Sequence, residues 1–116
     1  MIKDKAIDIA SLDTYRQFAN SDESELAILV KETIKSLEYF QDTFKEAFEN
    51  CDYARMKALS HSVASELFYL KAVHLKSMLK TFLASEENAT KNTESLFHIL
   101  SEMEDVLLYL KQSIKS

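Results

Sequence analysis

The sequence predicts an all-α protein, an antiparallel up-and-down four-helix bundle with a short extra helix near its N-terminus. Glycine and proline are both absent from the 116 residues, and tight turns between strands depend strongly on these two residues. Apolar residues recur at spacings of three and four, which is the period of an amphipathic helix. An extended coiled coil is the alternative, but polar links interrupt the apolar stripes at lengths typical of a bundle. The length predicts a single domain over residues 1–116.

A short helix and then a long helix come first. Ser11 or Asp13 is the expected cap of the short helix, which covers residues 12–19 and ends at Asn20. The run SDESEL then offers capping side chains and early acidic residues, which favour the N-terminus of a long helix. That helix extends to about residue 50 with its apolar stripe at Leu26, Leu29 or Val30, Thr33, Leu37, Phe40, Phe44 and Ala47.

Three further helices are expected. Asp52 is a good N-cap for the third, in which residues 55–70 are predicted to be helical from end to end. A weak break near Lys71 precedes a shorter helix. The polar segment 84–95 is predicted to be a connection, with Asn92 or Thr93 capping the last helix. The apolar positions of these three helices are Met56, Leu59, Val63, Leu67 and Leu70; Leu75, Met78, Leu79 and Phe82; and Leu96, Leu100, Met103, Leu107, Leu110 and Ile114.

Composition excludes several classes of function. The net charge of −5 disfavours nucleic acid and anionic membranes as partners. A chain without glycine lacks phosphate-binding loops and dinucleotide fingerprints. The one cysteine, Cys51, cannot form an internal disulfide, which fits a reducing compartment. No apolar run is long enough for a membrane span, and the N-terminal residues lack the apolar core of a signal peptide. A cytoplasmic location is expected.

His61 is predicted to point away from the core. At about 100° per residue, it lies about 200° from both Leu59 and Val63, which belong to the buried stripe. Exposed small or apolar residues around a titratable group suggest a contact site for another protein. A merely solvated histidine is the alternative, and it is the commoner case for a helix surface. The residues that share the face of His61 are Ala54, Lys57, Ala58, Ala64, Ser65 and Phe68.

The run LSHSVASELFYLKAVHL resembles the histidine-containing phosphotransfer (HPt) domain family of multistep two-component signalling. His61 takes the position of the phosphorylatable histidine, and Val63 that of the leucine that follows it. The later apolar positions correspond to Leu70, Ala72 and Leu75. Residues 7–61 are similar to the N-terminal part of the family, so the resemblance covers nearly the whole chain. It implies that His61 is the phosphoacceptor of a phosphorelay.

The sequence departs from the family at three positions. The lysine that follows the histidine by three residues, which steadies the phosphoryl group in the family, is Ala64 here. The glycine one residue later is Ser65, which is small enough to allow a partner to approach. The glycine of the family's Leu-Gly-Ala run is Lys71. Lys57, one turn before His61, is the candidate substitute cation, and an ordinary solubilising lysine is the alternative.

The resemblance implies how such a protein works. The aspartyl phosphate of a response-regulator receiver domain donates the phosphoryl group to His61, which passes it on, and a hybrid histidine kinase is a further partner. The receiver brings the Mg²⁺, so we expect no metal site, no cofactor and no enzymatic activity on a small-molecule substrate. Ala58, Ala64 and Phe68 form the predicted docking patch, and Lys57 and Ser65 support His61.

Two other functions remain open at the level of sequence. A degenerate HPt-like module would bind a receiver or a kinase without carrying phosphate, and the alanine at position 64 favours this alternative. A helical adaptor unrelated to two-component signalling would have His61 by chance. A di-iron bundle is disfavoured, because no histidine follows a glutamate at a spacing of three residues.

Overall fold

A computed structural model describes residues 9–114 of the chain. Over these residues the protein forms seven α-helices and no β-strand, so the all-α prediction is confirmed. The predicted single domain covers residues 1–116, so its first eight and last two positions lie outside the described residues. In chain order the helices are α1 (Asp13–Phe18), α2 (Glu23–Glu49), α3 (Tyr53–Ser62), α4 (Ala64–Tyr69), α5 (Val73–Phe82), α6 (Glu86–Lys91) and α7 (Thr93–Ser113).

Polar side chains cap α2, α3 and α7, as predicted. The carboxylate of Asp22 accepts hydrogen bonds from the backbone N–H groups of Ser24 and Glu25, at 2.9 and 3.1 Å. The bond from Glu25, followed by that from the Ser24 hydroxyl, holds the pKa of Asp22 below its usual range. Asp52 and Asn92 cap α3 and α7 in the same way. These bonds satisfy N–H groups that have no partner within a helix.

Left-handed residues end three of the helices, although the chain has no glycine. Asn20, Cys51 and Lys71 have φ angles of 52°, 54° and 57°. In each case the next residue donates its N–H to a carbonyl five residues back, which is the hydrogen bond of a Schellman motif. These motifs reverse the chain within a few residues, so the following helix can begin at once.

The helix α2 is the central element, and it contacts α1, α3, α6 and α7. Lys111 in α7 forms an ion pair with Glu38 at 2.8 Å, and Gln41 donates to Glu104 at 3.0 Å. Since the higher-numbered residue of α2 meets the lower-numbered residue of α7, these two helices are antiparallel. The buried face of α2 consists of Leu26, Val30, Thr33, Ile34, Leu37, Phe40, Phe44 and Ala47.

The prediction of one continuous helix over residues 55–70 is wrong. The helix α3 ends at Ser62, and α4 begins at Ala64. The hydroxyl of Ser62 donates to the carbonyl of Leu59 at 2.6 Å, which is the acceptor that a continuous helix would offer to the Val63 amide. Val63 instead donates to the carbonyl of His61, and its own side chain is buried. Serine commonly competes for backbone groups in this way.

The prediction that residues 84–95 form a connection is also wrong, because α6 lies within this segment. Ser85 caps the helix by accepting from the N–H of Asn88 at 3.2 Å. Glu86 and Glu87 then occupy the first turn, where negative charge is favourable. Ala89 is fully buried, and α6 contacts both α2 and α3. The polar composition of the segment concealed one short helix with a single buried position.

Replacing Phe44 with alanine is expected to lower the free energy of unfolding by about 3–5 kcal/mol. The side chain is fully buried, stacks on Phe40 with 4.8 Å between ring centroids, and lies 6.0 Å from the ring of Phe82. Urea unfolding followed by circular dichroism measures the change. Phe97→Ala is the control, because Phe97 is 72% exposed and its loss should alter stability by less than about 0.5 kcal/mol. Equal effects of the two substitutions would contradict the described core.

Stability above about pH 10 is expected to depend on Tyr15. Burial raises the pKa of this phenol, which lies 2.8 Å from the hydroxyl of Thr33. The folded protein therefore favours the neutral phenol. The resulting contribution to the free energy of unfolding is fully present below the pKa that Tyr15 has in the unfolded chain. It is lost as the pH rises through the folded pKa. Unfolding free energies measured between about pH 9 and 11 should fall less in Tyr15→Phe than in the wild type. Tyr39→Phe, which changes an exposed phenol, should follow the wild-type curve.

Candidate functional site

His61 is exposed and lies in the last turn of α3. The neighbouring stripe residues Leu59 and Val63 are buried on the opposite side of the backbone. The outward orientation that the helical spacing predicts is therefore confirmed. The imidazole is available to a partner molecule.

His61 lines a groove of about 850 Å³ that opens between α3 and α5. Two predicted site residues, Lys57 and Ala64, line the same groove. The helix α5 contributes two residues that sequence reasoning did not assign to the site, Lys76 and Lys80. The remaining lining residues are Ser60, Leu67, Ser77, Leu79, Leu83 and Ala84.

The approach of α5 to His61 follows from contacts at both ends of the groove. At one end the hydroxyl of Tyr53, the first residue of α3, donates to the carbonyl of Leu83 at 2.7 Å. At the other end the ammonium group of Lys76 lies 5.3 Å from the centre of the Phe68 ring. These contacts require α3 and α4 to run antiparallel to α5. His61 therefore faces the turn of α5 that contains Lys76 and Lys80.

Lys57 lies in the groove, but its charged group is directed away from His61. The ammonium nitrogen lies over the ring of Tyr53, 4.9 Å from its centre. Tyr53 is one turn before Lys57 in α3, whereas His61 is one turn after it. Side chains in a helix lean toward the N-terminus, which accounts for this direction. Lys57 therefore lines the groove, but its ammonium group contacts the ring of Tyr53 rather than His61.

The groove lies in a basic part of an acidic protein. Residues 53–83 contain five lysines and arginines against one acidic residue, a net charge of +4. The whole chain has −5, so all other residues together have −9. The single acidic residue of the segment, Glu66, accepts a hydrogen bond from Ser36 at 3.1 Å and lines a different groove. The surface around His61 therefore attracts anions.

The break at Val63 separates two of the predicted site residues, Ser65 and Phe68, from His61. Ser65 lines a second groove, with residues of α1 and α2, and Phe68 lies outside the groove of His61. Phe68 is 65% exposed and contacts Tyr69, which in turn contacts Phe18 of α1 at 5.1 Å between ring centroids. We call these three residues, Phe18, Phe68 and Tyr69, the aromatic patch. Ala58 is exposed and lines neither groove.

Lys71 adopts the conformation that glycine favours. Its φ of 57° is the left-handed geometry, which costs a residue with a Cβ about 1–2 kcal/mol. Position 71 is where the HPt family has the glycine of its Leu-Gly-Ala run. The backbone of this chain thus has, at that position, the geometry that a glycine would adopt most easily. The sequence alone could not reveal the positive φ at position 71, because lysine, unlike glycine, does not indicate a left-handed conformation.

A second histidine is held by a carboxylate on the neighbouring helix. Nδ1 of His74 in α5 lies 2.8 and 2.9 Å from the two carboxylate oxygens of Glu102 in α7. The Glu102 side chain is only 15% exposed, whereas the imidazole is 70% exposed. This pair links α5 to α7. Within residues 9–114 no group of three histidine, cysteine, aspartate or glutamate side chains is arranged to hold a metal ion.

Comparisons of the chain with family models, with curated proteins and with solved structures found no match. Of the helices described, none combines the length and the apolar character needed to cross a membrane.

Lys71→Gly is expected to raise the free energy of unfolding by about 0.5–1 kcal/mol, because glycine removes the strain of the left-handed conformation. Chemical denaturation measures the difference. The matched control is Lys31→Gly at an exposed position inside α2, where the same change should lower stability by about 1 kcal/mol. A loss of similar size at both positions would contradict the assigned backbone at Lys71.

Proposed function

We propose that this protein is a phosphorelay intermediate, in which His61 accepts a phosphoryl group from the aspartyl phosphate of a receiver domain and passes it on. The observation that carries the proposal is an exposed imidazole on a groove with three lysines, in a protein of net charge −5. A nucleophile that handles phosphate needs access and positive charge. The likeness of the His61 run to the HPt family adds the substrate class and the partners.

The proposal includes the architecture of that family, a four-helix bundle with one extra helix. Its four members are α2, the α3–α4 pair, α5 and α7, and α1 is the extra helix. Support comes from the antiparallel ion pair between α2 and α7, from the contact of α3 with α2, and from the contact of α5 with α7. We assign the protein to the cytoplasm, where its receiver and hybrid kinase partners are expected.

The proposed reaction requires little from this chain beyond a positioned imidazole. Nε2 of His61 attacks the phosphorus of the aspartyl phosphate, and a phosphorus–nitrogen bond forms. The phosphorus–oxygen bond to the aspartate breaks, and its electron pair leaves with the carboxylate. The imidazole, neutral at the start, releases the proton on Nδ1 to solvent. The receiver contributes Mg²⁺ and its own lysine, as the resemblance implies, and the same steps run in reverse toward a second receiver.

A degenerate docking module is the second candidate, and Ala64 favours it. Loss of a cation beside a dianionic group removes about 1–3 kcal/mol of charge-assisted hydrogen bonding. Such a module would use the aromatic patch to bind a receiver or a kinase, and it would leave His61 unmodified. Labelling separates the two functions.

Phosphorylated, radiolabelled receiver domains are expected to transfer label to the wild-type protein and not to His61→Gln. The label should be acid-labile and base-stable, because it is attached to nitrogen. His74→Gln and His98→Gln are the matched controls, since each replaces another exposed histidine, and both should become labelled. The exposed position of His61 also predicts that His61→Gln keeps its free energy of unfolding within about 0.5 kcal/mol of the wild type.

Label that persists on His61→Gln would contradict the assignment of the phosphoacceptor. Absence of label on every variant, with receiver binding that weakens in Phe68→Ala, would establish the docking module instead. Neither label nor binding would leave a helical protein with an incidental surface histidine.

A further inference from the structure

The groove of His61 lacks the cation that the family places on the helix of the histidine. Ala64 occupies that position, and its methyl group lines the groove without charge. Lys57 is on the correct helix, but its ammonium group lies over the ring of Tyr53, toward the opposite end of α3. In this arrangement the ammonium group of Lys57 is therefore not directed at His61, and α4 contains no cation.

The opposite wall of the groove is positively charged. Lys76 and Lys80 are four residues apart, so they lie on the same face of α5 and one turn from each other. Both line the groove with His61. The helix α5 contains no acidic residue, so neither lysine has a carboxylate partner within its own helix.

Neither lysine is held by a strong interaction in the part of the chain that the structure describes. No carboxylate within residues 9–114 lies within ion-pair distance of Lys80. Lys76 lies over the exposed ring of Phe68, and such a contact at an exposed site is weak. A dianion in the groove offers either ammonium group a stronger partner than it now has.

We infer that Lys76 and Lys80 bind the oxygens of the phosphoryl group on His61, and so replace the lysine missing at position 64. This inference rests on the proposed phosphorelay function. The ligand is an N-linked phosphoryl dianion, and the two ammonium groups reach it from a helix other than that of the histidine. As substrate arrives, Lys76 leaves the ring of Phe68, and the aromatic patch becomes free at one edge.

Phosphoramidate is the probe, because it donates a phosphoryl group without any receiver domain. The role of the lysines can then be tested independently of which receiver is the partner. Nε2 of His61 attacks its phosphorus, the bond to the amino nitrogen breaks, and ammonia leaves with its electron pair and a proton. Wild type, Lys76→Gln, Lys80→Gln and the double variant are compared for the rate of labelling. Lys35→Gln is the control, because it removes the same charge at an exposed position of α2 that pairs only weakly with Glu32, at 3.9 Å.

Labelling is expected to slow about tenfold in at least one single variant and further in the double variant, whereas Lys35→Gln labels at the wild-type rate. Lys→Arg at the same positions should restore most of the rate. ³¹P NMR of the phosphorylated protein gives a second readout. The two cations favour the dianion, so the pKa of the phosphoryl group should be higher in Lys76→Gln and Lys80→Gln than in the wild type.

Equal rates and an unchanged phosphoryl pKa in all the lysine variants would overturn the inference and leave the proposed function intact. A wild-type protein that takes label from neither phosphoramidate nor receivers would overturn both. Slow labelling without a change in the phosphoryl pKa, and without rescue by arginine, would indicate that the lysines only support the fold of α5, and this too would overturn the inference.

Discussion

The buried face of α2 is the constraint on which the other helices depend. This helix spans 27 residues, about 40 Å at 1.5 Å per residue, and no other helix described is as long. Its apolar stripe is covered on different sides by α1, α3, α6 and α7. The helix α5 also reaches α2, because its residue Phe82 contacts Phe44. Because α1, α3, α6 and α7 all pack on α2, the position of each of them on α2 determines which neighbours it faces.

The groove of His61 is a consequence of that arrangement. Contacts on either side of the groove hold α5 against the α3–α4 pair: Tyr53 of α3 bonds the carbonyl of Leu83, and Phe68 of α4 lies beneath the ammonium group of Lys76. Between these contacts the surface stays open. Charge adds to this geometry, since the acidic residues are concentrated outside the segment 53–83. The groove lining contains three lysines and no aspartate or glutamate, so the groove favours an anion.

The absence of glycine imposes a cost at the helix ends. Three Schellman motifs use Asn20, Cys51 and Lys71 in the left-handed conformation, and only asparagine tolerates it well. The strain persists because each motif begins the next helix immediately. At Lys71 the motif turns the chain from α4 into α5, and this turn brings the α5 lysines opposite His61. The left-handed residue Lys71 thus contributes to the geometry of the groove without lining it.

The break at Val63 divides what the sequence presents as one surface into two. His61 remains at the end of α3 and faces the basic groove, whereas α4 carries Phe68 and Tyr69 to the contact with Phe18. Chemistry and docking would then occupy adjacent but distinct surfaces. A partner that reaches both would bury aromatic side chains, which are enriched at protein interfaces, beside a charged groove.

Local information in the sequence determined the helical class, the caps at Asp22, Asp52 and Asn92, and the outward direction of His61. Each of these depends on residues within one or two turns, so helical periodicity and capping chemistry suffice. Helical periodicity did not register the competition of the Ser62 hydroxyl for the Leu59 carbonyl at the break before α4. It also missed α6, a polar helix with one buried position. The tertiary structure alone decided which lysines meet His61. Lys76 and Lys80 lie 15 and 19 residues from it along the chain, and only the register of α5 against α3 and α4 brings them to the same groove. That register depends on the packing of all these helices around α2, which no spacing along a single helix encodes.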